Sequence, residues 1–291
     1  MTQQLLDISR KISSHILEVI EAISIIAVSL DISFFVCGAS ARDIILYNVF
    51  EIEIKRATRD VDFGVMVEDW DELGRLTEEM TQSGLFDKDI DPQRFFHKDD
   101  FPVDIVPFGK ISKPGDIISW PNCDGAEMNT FGFEEAYKDS VTIQLRKDPE
   151  LVIKFASLRG LAAMKLISWK DRYPLRSKDA KDFEYITRNY IDAGNFDRIY
   201  SGEDSDISES DDPDYELMSA RLLGRDVALI LNPESKEYIQ KILEMETGEQ
   251  DSYKFIEDMR QGDFIRRDDF DERLELMEAF KLGFIERLYF H

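Results

Sequence analysis

Apolar and polar positions recur with clear periods along much of the chain. Leu5, Ile8, Ile12, Ile16, Val19, Ile23 and Ile26 fall three or four apart, which predicts an amphipathic helix over residues 3–30. Asp31 and Ser33 break it, and Phe34–Cys37 follows as a short apolar strand. Gly38-Ala39-Ser40 is a small-residue turn, with a helix from near Ala41. A second strand opens on Asp60 and Asp62; its Val61, Phe63, Val65 and Val67 fall on the opposite face, because strand residues two apart share a side. Asp69 is placed to cap a helix running to about Ser83, with Gly84 just past its end.

Farther along, residues 86–94 read as a polar loop, and Arg94–His97 and Val103–Phe108 as a hairpin around Lys98-Asp99-Asp100. Residues 109–124, rich in Gly, Pro and Ser, read as a loop over the sheet. Val141–Leu145 and Leu151–Phe155 are further strands. Helical periodicity then dominates: Leu158 to about Asp171 with Ser157 as its cap, Tyr215–Leu231, Glu234–Glu246 and the last forty residues. The expected class is α+β, a mixed β-sheet flanked by helices and followed by a helical C-terminal part. The expected domains are 1–156 and 157–291, with 201–214 as an acidic linker. No internal repeat is evident.

Charge sharpens this picture. Lys and Arg number 36 against 60 Asp and Glu, a formal net charge of −24. Such a chain repels phosphates over most of its surface, so a nucleic-acid partner must meet a local basic patch. The most basic stretch holds Lys154, Arg159, Lys165, Lys170, Arg172, Arg176, Lys178, Lys181 and Arg188. It suits a triphosphate or an RNA end, or else forms a charged helix surface countering nearby acids. Residues 201–214 carry like charges and almost nothing apolar, which predicts a mobile loop. Cys37 and Cys123 stand at no metal-ligand spacing and read as reduced thiols of a cytoplasmic protein. His15, His97 and His291 suggest no cluster. The longest apolar run, Ala22–Leu30, is too short to span a bilayer, so no membrane partner is expected, and Met-Thr-Gln-Gln does not open a signal peptide.

The candidate chemistry lies in Phe34–Val67. Gly38 lets a backbone approach a ligand closely, Ser40 offers a hydroxyl, and the helix start beyond it favours an anion such as a phosphate. A third acid, Asp104, sits in the apolar strand Val103–Phe108. Asp60, Asp62 and Asp104 on neighbouring strands would hold Mg²⁺ or Mn²⁺, and two such ions about 4 Å apart can clamp the oxygens of a phosphoryl transfer. In a chain this acidic an acid-x-acid pair arises by chance on the order of a dozen times. The weight falls on the order strand, Gly-Ala-Ser, helix, acid pair, lone Asp.

GASARD, RDVDFGV and VDIVPF together resemble the Pol-β-type nucleotidyltransferase superfamily, closest to the AbiEii-type toxin nucleotidyltransferases of toxin–antitoxin and abortive-infection systems. The usual second Gly or Ser is Ala39 here, with Ser40 one place later. In KDRYPLRSKDAKDFEYI the resemblance extends to a Lys, Arg-x-x-x-Arg and Asp-x-x-Asp pattern. It implies phosphate binding by Lys165 and a catalytic or positioning acid at Asp182, with Asp179 competing for that role. Lys165 lies on an apolar stripe, where a lysine otherwise snorkels to solvent. The nucleotide-binding candidates are Gly38, Ser40, Arg42, Lys165 and Arg172; the catalytic ones are Asp60, Asp62, Asp104, Lys165 and Asp182.

The resemblance implies transfer of NMP from an NTP to an acceptor hydroxyl, a tRNA 3′ end or a protein, with a cognate antitoxin as partner. The helical domain would complete the active-site cleft. The rivals are a silent nucleotidyltransferase-fold binding or antitoxin module and a small-molecule, antibiotic-modifying transferase.

Overall fold

A computed structural model describes residues 5–9, 11–54, 58–113, 115–121, 127–209, 214–248, 253–260 and 268–289. The chain divides into two compact units, Met1–Ser157 and Leu158–His291.

The first unit is built on an eight-stranded mixed sheet. In chain order its elements are β1 (Leu6–Asp7), α1 (Ser14–Ser29), β2 (Ser33–Cys37), α2 (Gly38–Asp43) running into a π-helical turn (Ile44–Val49), β3 (Val61–Met66), α3 (Trp70–Gln82), β4 (Phe86–Lys88), β5 (Arg94–His97), β6 (Phe101–Phe108), β7 (Ile117–Ser119), β8 (Glu127–Asn129), α4 (Phe133–Lys138), β9 (Val141–Lys147) and β10 (Glu150–Phe155). The sheet order is β1-β9-β10-β2-β3-β6-β5-β4, and β7 pairs with β8 apart from it. Val61, Phe63 and Val65 are fully buried, as the period-2 pattern requires. Asp69 caps α3 by accepting from the Glu72 amide at 2.9 Å.

Several expectations change. The helix expected over 3–30 begins only at Ser14, where Ser13 accepts from the Ile16 amide. Upstream, Leu6–Asp7 pairs in parallel with β9, and the Ile8 amide donates to the Gln144 carbonyl at 3.0 Å. Leu5 and Ile8 continue the helical spacing only by coincidence, since two paired residues are too few to show a strand period. The loop expected at 86–94 contains β4, an edge strand with Phe86 buried and Asp87 and Lys88 exposed. Charged, very short edge strands of this kind resist further pairing and show almost no periodicity. Part of 109–124 pairs as β7, whereas Cys123 lies outside the described residues. His15 and His97 do meet, ring centroids 6.0 Å apart, in an aromatic group with Phe86 and Phe101. Sequence distance hid that contact; His291 is outside the described residues.

The second unit is helical: α5 (Leu158–Arg172), α6 (Ser177–Asn189), α7 (Phe196–Tyr200), α8 (Tyr215–Ile230), α9 (Pro233–Thr247), α10 (Lys254–Met259) and α11 (Asp268–Tyr289). Asp214 and Asn232 cap α8 and α9, and Pro233 opens α9, where its missing N–H costs nothing. Trp169, Phe183, Phe255, Phe280 and Phe284 form the core, with Trp169 edge-on to Phe255 at 4.8 Å. Helices α8 and α11 touch at Gly224 and Gly283. A Cβ at Gly224 would lie 2.1 Å from the Phe280 carbonyl oxygen, and one at Gly283 1.9 Å from that of Arg221.

The described part of 201–214 is not the solvated loop expected. Asp204 is fully buried and ion-paired to Arg198 (2.7 Å), Arg225 (3.0 Å) and Arg287 (3.2 Å). Asp206 pairs with Arg225 at 2.5 Å, and Ile207 is buried. Arginines distant in sequence neutralise the acids, which local charge counting cannot show. Residues 210–213 lie outside the described residues.

Candidate active site

Strand β2 delivers the chain to Gly38, which opens α2 directly; the helix starts three residues earlier than the sequence suggested. Gly38 has φ +68, a conformation costly to any residue with a Cβ. A Cβ there would lie 1.8 Å from Oδ2 of Asp62. The carboxylate of the candidate acid therefore packs against bare backbone. Ser40, buried in the first turn, donates its hydroxyl to the Asp60 carbonyl. A serine hydroxyl has one proton, so Ser40 holds the entry to β3 rather than offering that proton to a phosphate. Arg42 is also buried: its Nε and Nη2 donate to Asp43 Oδ1 at 2.8 and 2.5 Å, and Thr58 donates to Asp43 Oδ2 at 3.0 Å. The structure places Arg42 inside the fold, not on an open phosphate-binding face.

Sheet register brings the acids together. Asp62 stands beside Cys37 of β2 on one side and beside Asp104 of β6 on the other. Neighbouring strands lie about 4.8 Å apart, so Asp62 and Asp104 are side by side on one face. Asp60 immediately precedes β3. The third acid, however, has a partner that the sequence reading missed. Arg94 of β5 stands opposite Asp104, donating from Nε to Oδ1 at 2.8 Å and from Nη2 to Oδ2 at 2.7 Å. Asp104 is 6% exposed. Its hydrogen bonds hold the Arg94 guanidinium pKa well above the usual range, against the opposing effect of burial, and the charges of Asp91 and Asp60 add to this.

This arrangement answers whether a metal fits. Among the described residues no three His, Cys, Asp or Glu side chains are grouped to hold an ion. Both Asp104 oxygens are taken, so the expected three-acid site is not assembled as such. Asp60 and Asp62 stand at the entry and the second residue of the strand beside Gly38, and a pair of carboxylates is the kind of donor set Mg²⁺ takes when waters and substrate phosphates complete its shell.

In the second unit, Lys165 is buried and does not snorkel. Its Nζ lies 2.7 Å from Asp179 Oδ1 and 2.7 Å from Asp182 Oδ2. Ser168 donates to the other Asp179 oxygen at 3.0 Å, and Arg176 approaches it at 4.0 Å. Burial alone would lower the Lys165 pKa; the two carboxylates override it and push it up. Both competing acids thus serve the same lysine. Arg172, at the end of α5, is 3.9 Å from Asp171. Much of the basic stretch is similarly committed: Arg188 pairs with Glu184, Glu216 and Glu272, and Lys154 lies 4.2 Å over the Tyr137 ring.

The chain is a nucleotidyltransferase. It belongs to the AbiEii family, described as nucleotidyl transferase AbiEii toxin, type IV toxin–antitoxin system, whose model matches residues 24–275. No curated protein matches the chain. Among solved structures it is similar to the lincosamide antibiotic adenylyltransferase LnuA with lincomycin bound (16% identity, 60% of this chain and 98% of that one, TM-score 0.35). It is also similar to ANT(2'')-Ia in complex with adenylyl-2''-tobramycin (13% identity, 65% and 100%, TM-score 0.37). A third is the Thermotoga maritima CCA-adding enzyme complexed with tRNA (12% identity, 95% and 80%, TM-score 0.26). No helix among the described residues is long and apolar enough to cross a membrane.

Proposed function

We propose that the protein transfers a nucleoside monophosphate from an NTP to an acceptor hydroxyl, with pyrophosphate leaving, as the toxin of a cytoplasmic toxin–antitoxin or phage-defence pair. One observation carries this reading: the Asp62 carboxylate packs on the bare backbone of Gly38, one ladder step from Asp104, on a strand whose entry Ser40 fixes. That is a pre-organised acid site at the end of a β-strand, backed by a fully buried apolar face.

Asp60 and Asp62 are the residues that would hold Mg²⁺ or Mn²⁺, which when bound would neutralise charge on the nucleotide phosphates and polarise them. The chain's own contribution is positioning and electrostatics, which dominate phosphoryl-transfer catalysis. Gly38, lacking a Cβ, makes room for the Asp62 carboxylate against its backbone. Lys165 has three N–H donors; two meet Asp179 and Asp182, and the third is the one we assign to a triphosphate oxygen. Asp179 and Asp182 keep that lysine charged and aimed. Acceptors of the proposed reaction are a tRNA 3′ end or a protein hydroxyl, served by exposed cations of the stretch, such as Lys178.

The Arg94–Asp104 pair favours one rival, a copy of the fold that binds nucleotide and transfers nothing. Incubation of the purified protein with each labelled NTP, Mg²⁺ or Mn²⁺, and total RNA or lysate separates these readings after size fractionation. Label in RNA or protein supports the proposal, label in a small molecule makes it an antibiotic-type transferase, and no transfer under any condition leaves the silent module ahead.

A further inference from the structure

Asp60 stands one residue outside the ladder: the first paired residue of β3 is Val61, opposite Val103. Sheet pairing therefore fixes Asp62 and leaves the placing of Asp60 to other contacts. Two hydroxyl groups supply them. Ser40, in the first turn of α2, donates to the Asp60 carbonyl. Thr58, two residues upstream of Asp60, donates back to Asp43 Oδ2 on α2 at 3.0 Å. The segment 58–60 and helix α2 thus exchange one hydrogen bond in each direction, on either side of Arg59. The acceptor of the second bond is itself held. Asp43 is 8% exposed, and its Oδ1 takes Nε and Nη2 of the buried Arg42 at 2.8 and 2.5 Å. Hydrogen bonds to an ionised carboxylate are roughly twice as strong as those between neutral groups. A β-branched threonine is also stiff about χ1, so its hydroxyl is aimed rather than free to turn.

We infer that Thr58, bonded to the Arg42-held Asp43, is a positioning residue that sets the aim of Asp60. This inference rests on reading Asp60 as a metal ligand. Residues 58–60 have no strand partner, so the backbone torsions ahead of Val61 decide where the Asp60 carboxylate points. The Ser40 bond holds the carbonyl of Asp60 and the Thr58 bond holds the chain before it; together they fix those torsions. The single hydroxyl proton of Thr58 goes to Asp43, so Thr58 acts on a bound ion through Asp60. Groups that orient a metal ligand in this way are typically worth 10–100-fold in metal affinity.

The test titrates Mn²⁺, without nucleotide, by electron paramagnetic resonance, and melts each protein in EDTA. Thr58→Val keeps the shape and removes the donor; it is expected to bind Mn²⁺ at least about tenfold more weakly than wild type while melting only a little lower. Thr58→Ser keeps the hydroxyl and is expected to bind like wild type. A merely structural hydroxyl would lower the melting temperature of Thr58→Val without moving its Mn²⁺ affinity. Wild-type affinity in Thr58→Val, or affinity as weak in Thr58→Ser as in Thr58→Val, overturns the inference. Should Thr58→Val not fold, Thr58→Ala takes its place under the same criteria. If neither folds, the hydroxyl serves the fold and the inference is also overturned. An Asp60→Asn variant run alongside tests the underlying site: if it binds Mn²⁺ as wild type does, the metal-ligand reading of Asp60 has failed, whatever Thr58 does. If Asp60→Asn loses Mn²⁺ and Thr58→Val does not, only the positioning role has failed. Wild type that binds no Mn²⁺ sinks both.

Discussion

Oδ2 of Asp62 lies where a side chain on Gly38 would have to be, 1.8 Å from the position of its Cβ. Gly38→Ala must therefore move the carboxylate, and it also meets a left-handed φ of +68 that costs a non-glycine residue about 1–2 kcal/mol. The variant is expected to lose at least that much stability in urea unfolding and most of its transfer activity. Wild-type activity in a folded Gly38→Ala protein would show that Asp62 is not held for chemistry.

The acids are expected to differ among themselves. Asp60→Asn with Asp62→Asn removes two like charges at constant shape. In EDTA this variant should melt at or above wild type, with most of the response to added Mg²⁺ lost, since a ligand that binds only the folded state raises its melting temperature. Asp104→Asn should instead melt below wild type, because it leaves the Arg94 guanidinium short of its partner. We expect about 2 kcal/mol, less than for a fully buried pair because Arg94 is partly open to solvent. Both variants melting on the same side of wild type would remove the distinction drawn between the acid pair and the salt-bridged acid.

How far the site was legible in the sequence follows from the range of each signal. The order strand, glycine, helix, acid pair is local, and alternation along β3 placed Asp62 on the face away from Phe63 and Val65. Asp104 was legible for the same reason. Arg94 was not, although the hairpin contained the information: once His97 pairs with Phe101, Arg94 must stand opposite Asp104. It was missed because the strand was read for its apolar residues rather than for its cross-strand pairs. Lys165 was ambiguous because helical periodicity shows only which side a residue faces; its partners Asp179 and Asp182 lie on the next helix. The acidic run misled most. Its neutralising arginines, at 198, 225 and 287, come from three separate helices.

That arginine cluster makes its own prediction. Burial alone would raise the Asp204 pKa, but hydrogen bonds from Arg198 and Arg225 outweigh it and hold the carboxyl below its usual value. A depressed folded-state pKa contributes stability above the unfolded value of about 3.9, lost as pH falls through the folded one. Asp204→Asn should destabilise the protein by about 3–5 kcal/mol at pH 7, the usual cost of breaking a buried pair from one side. The gap to wild type should stay level down to about pH 4 and narrow below it. Chemical denaturation across that range checks this. A gap that widens in acid would mean the carboxylate is not stabilised as an ion.

Lys165 separates catalysis from structure at the same residue. Its ammonium is buried between Asp179 and Asp182, both within 2.7 Å. Lys165→Met keeps the apolar stem but leaves two buried carboxylates without a counter-ion, and about 3–5 kcal/mol of stability should go with it. Activity loss in that variant alone would therefore prove nothing about phosphate binding. The pH dependence isolates the ion pair. The folded lysine pKa is raised, so its contribution is fully present below the unfolded value of about 10.4 and is lost as pH rises through the folded one. The difference in stability between wild type and Lys165→Met should be flat from pH 7 to about 10 and shrink above that. Combining Lys165→Met with Asp179→Asn and Asp182→Asn removes the stranded charges and should recover much of the stability. If this triple variant is stable and still binds NTP with wild-type affinity, Lys165 is a structural counter-ion only. If it is stable but binds NTP at least tenfold more weakly, the third N–H of Lys165 acts on the triphosphate.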